Sequence, residues 1–225
     1  MSSSGSLVVP LASASGVESV GGKGAALGSL ARIGIAVPPG FVVTAGGFLA
    51  FMDQLDRSGA LRAELSALPA ADLPAISRAA DRVRKAIVAC PFMPEAGAAI
   101  RAAYQALGDG PAGVGVDVAV RSSATVEDST EASFAGLQDT YLGVCGADSV
   151  LEHVRRCWAS LYNDESVAYR RRLGMPEDGI SMAVVVQVMV RPRAAGVMFT
   201  RSPVTGDRSV VAIEGTWGLG SALVS

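Results

Sequence analysis

The segment Ala183 to Val190 is almost wholly apolar, with Gln187 its single strongly polar side chain. A short run of this kind, rich in valine, predicts a central strand. A buried Gln187 then needs hydrogen-bond partners, either a ligand's polar edge or a neighbouring backbone. Half of the 225 residues are hydrophobic and 18% are charged, a globular composition with ample apolar material for a core. The formal net charge of −2 and the scarcity of aromatics provide neither a basic footprint nor a stacking surface for nucleic acid.

The uncharged run Ile33 to Met52 is long enough to suggest a membrane span, but Pro38-Pro39-Gly40 and Gly46-Gly47 interrupt it. It reads as a helix end, a strand at Phe41 to Thr44 and a new helix. Met1 to Gly16 is Ser-rich without a basic segment, and so reads as a poor signal peptide. Cys90, Cys145 and Cys157 are odd in number and show no CxxC spacing, which fits idle or buried thiols in a reducing cytoplasm.

Val20 to Gly24 is a glycine-rich turn, and the helix after it carries Leu27, Leu30 and Ala31 on one face, with Gly34 as its stop. Ser58 to Gly110 is Ala-rich, helically periodic and punctuated by prolines, which predicts two or three helices. Val116 to Val120 alternates and predicts a strand ending at Arg121; hydroxyl- and acid-rich Ser122 to Ala135 predicts a loop. Thr140 to Val144 is a further strand, and Asp148 is the expected cap of the helix through Val150, Val154, Trp158 and Leu161. Ala195 to Thr200 and Val210 to Ile213 predict an antiparallel hairpin with a long loop at Pro203 to Asp207.

Lys23 stands among Gly21, Gly22 and Gly24 at a helix start. A cation at that pole is unfavourable unless an anion lies between it and the helix, where free N–H groups and the ammonium hold a phosphate together. A solvated lysine on a glycine turn is the plain alternative. Arg121, beside Ser122, Ser123 and Thr125, is a fork suited to phosphate, or to a salt bridge with Glu127 or Asp128. Ser133-Phe134-Ala135-Gly136 is a small-residue loop able to lie over phosphates, or a plain connection. Gln187 and the backbone near Val188 and Met189 offer an adenine edge its partners. Arg201 is a further phosphate candidate, and Glu214 one for a metal or a ribose. His153, the single histidine, reads as structural.

The order of these motifs carries more than any one of them. Val20 to Gly28, Val37 to Thr44, Val120 to Thr125 with Glu127-Asp128, and Ser133 to Gly136 with Asp139 to Leu142 come first. Cys157 to Leu161 with Tyr169-Arg170, Val186-Gln187 with Met189-Val190, Gly196 to Thr200 with Pro203, and Trp217 to Gly220 follow. From about Gly16 onward the chain resembles the N-terminal ATP-binding region of phosphoenolpyruvate synthase, pyruvate phosphate dikinase and rifampicin phosphotransferase.

The resemblance implies an α+β, ATP-grasp-like, two-lobed nucleotide-binding domain with mixed or antiparallel sheets flanked by helices. The expected division is a flexible N-terminus at 1–15, a largely helical lobe at 16–115 and the ATP-grasp-like lobe at 116–225, lacking its C-terminal part. It implies phosphate binding by Lys23 (with Gly22) and Arg121 as the catalytic pair, a covering loop at Ser133 to Gly136, and Thr140 and Gln187 near the nucleotide. ATP and magnesium are the implied cofactors, with the metal-holding residues expected beyond Ser225 and Ser221 standing where relatives often carry Glu. ATP would be cleaved to AMP and the β-phosphate passed to a histidine on a swivelling domain or separate subunit. A non-catalytic remnant or a regulatory interaction module is the alternative.

Overall fold

The computed structural model describes residues 6–69, 71–110, 115–125, 139–175, 177 and 180–223. Strands β1 (Val8–Pro10), β2 (Gly40–Val43), β3 (Val118–Ala124), β4 (Thr140–Val144) and β5 (Met182–Val188) form a sheet in the order β1-β2-β5-β3-β4, every pair antiparallel. The apolar run is thus the middle strand, as its composition predicts.

Register decides what each face carries, because directly opposed residues point the same way. Phe41, Val186 and Val120 align across the sheet, as do Val43, Val184 and Ser122. That face builds the larger core beneath α2 (Ala45–Leu55), α3 (Ala60–Ala67), α4 (Leu73–Ala89), α5 (Pro94–Gln105) and α6 (Ala147–Ser160). The opposite face aligns Val42, Val185 and Arg121, and sets Ala183 beside Ser123. There Val42, Ala183 and Val185 meet Leu11, Ala14 and Val20, the last from α1 (Val17–Arg32).

Local chemistry explains the helix limits. Asp72 caps α4 by accepting the Ala75 N–H, and Ile76, Ala79, Ala80, Val83 and Ile87 recur at helical spacing on its buried side. Thr44 caps α2 through Gly47 N–H. Past the end of α1, Gly34 takes φ +84°; its N–H donates to Ala31 O and that of Ile35 to Leu30 O, the Schellman pattern. Among the described residues no helix is long and apolar enough to cross a membrane.

Four expectations are corrected. β3 continues past Arg121 to Ala124, since Ser122, Ser123 and Ala124 pair with Val184, Ala183 and Met182. Small hydroxyl residues read as loop, yet here they are buried in the ladder. No lobe boundary falls at 115/116: β2 from before it and β5 from after it share one sheet, and the compact units are Met1–Met189 and Val190–Ser225. Part of the expected flexible N-terminus is built in, with β1 paired to β2 and Leu11 buried. The N-cap of α6 is Gly146; Asp148 lies in its first turn and pairs with Arg101.

The second unit holds the expected hairpin, β6 (Ala194–Phe199) against β7 (Ala212–Trp217). In its connecting loop Ser202 N–H donates to Asp207 O and Gly206 N–H to Ser202 O.

Helix α7 (Asp164–Arg172) packs the buried Arg170 beside the ring of Tyr162, 5.7 Å from its centroid, and pairs it with the buried Glu177 at 3.0 Å. Burial pushes the Tyr162 phenol up to about 12, with Arg170 opposing. A raised folded-state value means that stability is intact below pH ~10 and is lost as pH rises through ~12. Tyr162→Phe should therefore reduce the alkaline loss over that window by roughly 2 kcal/mol. Denaturant unfolding at neutral and alkaline pH checks this, and parallel profiles for the two proteins would contradict it.

Candidate functional site

The glycine turn is a break within α1. Gly21 has φ +70° and ψ +170°, so the helical run is interrupted there and starts again with Gly22, Lys23 and Gly24. The second helical segment thereby presents its own N-terminal amides beside Lys23. What holds the break is β3. The Ser123 hydroxyl donates to Val20 O at 2.9 Å and accepts the Gly24 N–H at 3.2 Å. Gly21 lies so close that a Cβ there would stand 2.1 Å from Ser123 O. Only glycine supplies both the positive φ and the missing methyl.

Arg121 follows from the same strand. Alternation puts Arg121 and Ser123 on one face, roughly 7 Å apart along β3. Val185 lies opposite Arg121 on β5, and Thr140 opposite it on β4. The Arg121 Nε is buried with no hydrogen-bond partner. Arg155, Arg170 and Arg171 also hold a buried Nε without a partner, but each places a terminal nitrogen on backbone carbonyls: Arg155 on Val88 O and Cys90 O, Arg170 on Leu161 O, Arg171 on Leu65 O and Leu68 O. Among the described residues Arg121 makes no such bond. A half-buried guanidinium in this condition is a strong donor set awaiting an acceptor.

Gln187 sits on the same face, opposite Ala119 and Gly40. It is 8% exposed and donates to Pro38 O at 3.2 Å, so a neighbouring backbone meets part of its need. The N–H groups of Val188 and Met189 are engaged by Pro39 O and Asp117 O, at 2.9 and 2.8 Å. An adenine edge there would have to use carbonyl oxygens rather than these amides. The glycine turn with Lys23, Arg121, Thr140 and Gln187 thus share one side of the sheet. Ser133 and Gly136 lie outside the described residues. Arg201 is exposed in the second unit, after β6, and Glu214 lies exposed within β7.

Sequence reasoning missed Ser123 and the role of Gly21 toward it. The available signal was the alternation Val118, Val120, Ser122, Ala124, which continues through the supposed loop. Other candidates have structural roles. His153 Nδ1 meets Ser149 O at 2.7 Å and its ring packs edge-on to Tyr141. Cys157 is buried and its thiol is pushed up, first by burial and then by Asp139, with the Lys23 charge opposing. Among the described residues no group of three or more His, Cys, Asp or Glu converges as a metal site.

Comparison with known proteins identifies the family. Residues 17–225 match the family model described as the pyruvate phosphate dikinase AMP/ATP-binding domain. A rifampicin phosphotransferase of Streptomyces sp is 48% identical over 99% of this chain and 25% of its own length. A probable phosphoenolpyruvate synthase of Staphylothermus marinus is 46% identical over 91% of this chain and 25% of its own. The phosphoenolpyruvate synthase of Aeropyrum pernix is 44% identical with the same coverage. The chain spans about a quarter of the length of these relatives. With its glycine turn clamped on β3 and its match running to the last residue, the chain belongs to the family of pyruvate phosphate dikinase AMP/ATP-binding domains.

Proposed function

We propose that the chain binds ATP on the α1 side of the sheet, as the nucleotide-binding part of a phosphotransferase of the phosphoenolpyruvate synthase and pyruvate phosphate dikinase type. The observation that carries the reading is the buried, unpartnered Nε of Arg121 on the strand that clamps the Lys23 turn. Lys23 and Arg121 supply two positive charges toward a triphosphate of about −4, and the amides at the restarted helix add donors without charge. Magnesium, bound with the nucleotide, supplies the remaining neutralisation. Gly22 lets the backbone approach the phosphates. Thr140, directly across from Arg121, Gln187 near the end of β5 and Met189 just past it border the nucleotide. Ser133 and Gly136, by the resemblance, and Arg201, by its charge, are further candidates for holding the phosphates.

In this reading the phosphate leaves ATP for a histidine carried on another segment or subunit. His153 is given a structural part instead, with its Nδ1 at Ser149 O and its ring packed on Tyr141. The final acceptor is of the kind its relatives' names indicate, a rifamycin or the pyruvate–phosphoenolpyruvate pair, and its choice rests with parts outside this site.

Isothermal titration with Mg-ATP tests the reading. Lys23→Ala and Arg121→Ala should each weaken binding roughly ten- to hundredfold, the range for losing a charge-assisted contact. Arg121→Lys should recover only part of it, since an ammonium lacks the fork. No binding by the folded wild-type chain at millimolar Mg-ATP would overturn the proposal.

A further inference from the structure

Ser123 has no counterpart in the phosphate contacts above, yet it is the residue on which they converge. It is fully buried, on the same face as Arg121 and two positions from it. Its hydroxyl uses its hydrogen on Val20 O, at 2.9 Å, just before the helix break. It uses a lone pair on Gly24 N–H, at 3.2 Å, just after it. One side chain from a distant strand therefore bridges both flanks of the turn that carries Lys23. Gly21 between them is pressed onto the Ser123 backbone, where an added Cβ would meet Ser123 O at 2.1 Å and Ser123 Oγ at 2.2 Å.

We infer that Ser123 is a positioning residue: it sets the Lys23 turn at a fixed place relative to Arg121, so that ammonium and guanidinium bind one phosphate chain together. This inference rests on the nucleotide reading above and specifies which residue organises that site. Two cations on separate elements bind a polyanion well only if their separation is set beforehand; otherwise binding must order the turn each time. A buried serine also suits the task because alanine would leave a buried N–H and a buried carbonyl without this partner.

The consequence is coupling. In the full chain, Ser123→Ala should weaken Mg-ATP and inorganic tripolyphosphate by roughly tenfold while changing adenosine affinity less than about twofold. In a Lys23→Ala background the same substitution should cost much less, because the group it positions is gone. Ser160→Ala is the control. That serine is comparably buried on α6 and bonds Cys157 O at 2.7 Å, within its own helix rather than to the turn. It should lower stability comparably and leave tripolyphosphate binding unchanged.

Additive losses from Ser123→Ala and Lys23→Ala, or an equal loss for adenosine, would overturn the inference. Amide hydrogen exchange without ligand separates its failure from that of the nucleotide reading. Protection at Gly24 should fall in Ser123→Ala and not in Ser160→Ala, whether or not the wild type binds ATP. Unchanged protection at Gly24 would overturn the positioning role by itself. If Ser123→Ala does not fold, Ser123→Cys, with similar volume and a weaker donor, carries the same comparisons and should show smaller shifts of the same sign.

Discussion

Trp158→Ala is expected to lower the unfolding free energy by about 3–5 kcal/mol, the range for truncating a buried tryptophan. The indole is fully buried on α6. Its ring centroid lies 5.7 Å from Phe48, 5.0 Å from Phe51 and 5.4 Å from Phe92, the first pair edge-on and the others tilted. Such geometries add to simple area burial. Nε1–H donates to Met182 O at 3.2 Å, which ties α6 to the central strand. Truncation therefore empties the junction of α2, α6 and β5 and removes a buried donor at once. Trp158→Phe keeps a ring and loses the N–H, so it should cost clearly less than alanine. Denaturant midpoints with unchanged slope measure both. An alanine variant no less stable than the phenylalanine one would mean that the aromatic cluster is not a stabilising centre. A typical domain has about 5–15 kcal/mol in total, so the alanine variant should lose a large share of its stability.

The parts of the fold legible in the sequence are those whose cause is local. The β5 run is readable because a strand buried on both faces must be apolar throughout. α4 is readable because Asp72, Pro74 and the apolar spacing act within one segment. What escaped has its cause elsewhere in the chain. Ser122 to Ala124 form a strand because Met182 to Val184 lie beside them, about sixty residues later. β1 is three residues long, too short for any periodicity, and exists because β2 accepts it. The expected boundary at 115/116 failed for the same reason, since the sheet is assembled from both sides of it. For the site, Lys23 on its glycine turn with Gly22, Arg121 at a strand end and Gln187 in the apolar run are legible from local chemistry, and Thr140 only through the resemblance. Composition could not reveal that Ser123 reaches back to Val20 and Gly24, or that the amides of Val188 and Met189 are engaged by Pro39 and Asp117 respectively.

Gly21→Ala is expected to damage fold and site together. Two costs combine at this position. A side chain at φ +70° and ψ +170°, a region essentially confined to glycine, is strained by about 1–3 kcal/mol. The new methyl carbon would also stand 2.1 Å from Ser123 O and 2.2 Å from Ser123 Oγ, so turn or strand must move. Ser123 is held in the ladder opposite Ala183, and the turn therefore yields first. Overpacking of this kind costs about 1–3 kcal/mol more, for a total of roughly 2–6 kcal/mol. Gly34→Ala separates the two costs. Gly34 has φ +84° but nothing within 4 Å of its Cβ position, so it carries the strain alone and should lose only about 1 kcal/mol. The excess destabilisation of Gly21→Ala in denaturant unfolding measures the clash with Ser123 together with the more restrictive ψ of +170° at Gly21. Because the turn is displaced from Arg121, Gly21→Ala should also weaken Mg-ATP at least tenfold under conditions where it remains folded, whereas Gly34→Ala should not. Equal destabilisation of the two variants would show that the close approach to β3 contributes nothing. A folded Gly21→Ala chain with full affinity would show that the placement of the turn does not govern phosphate binding.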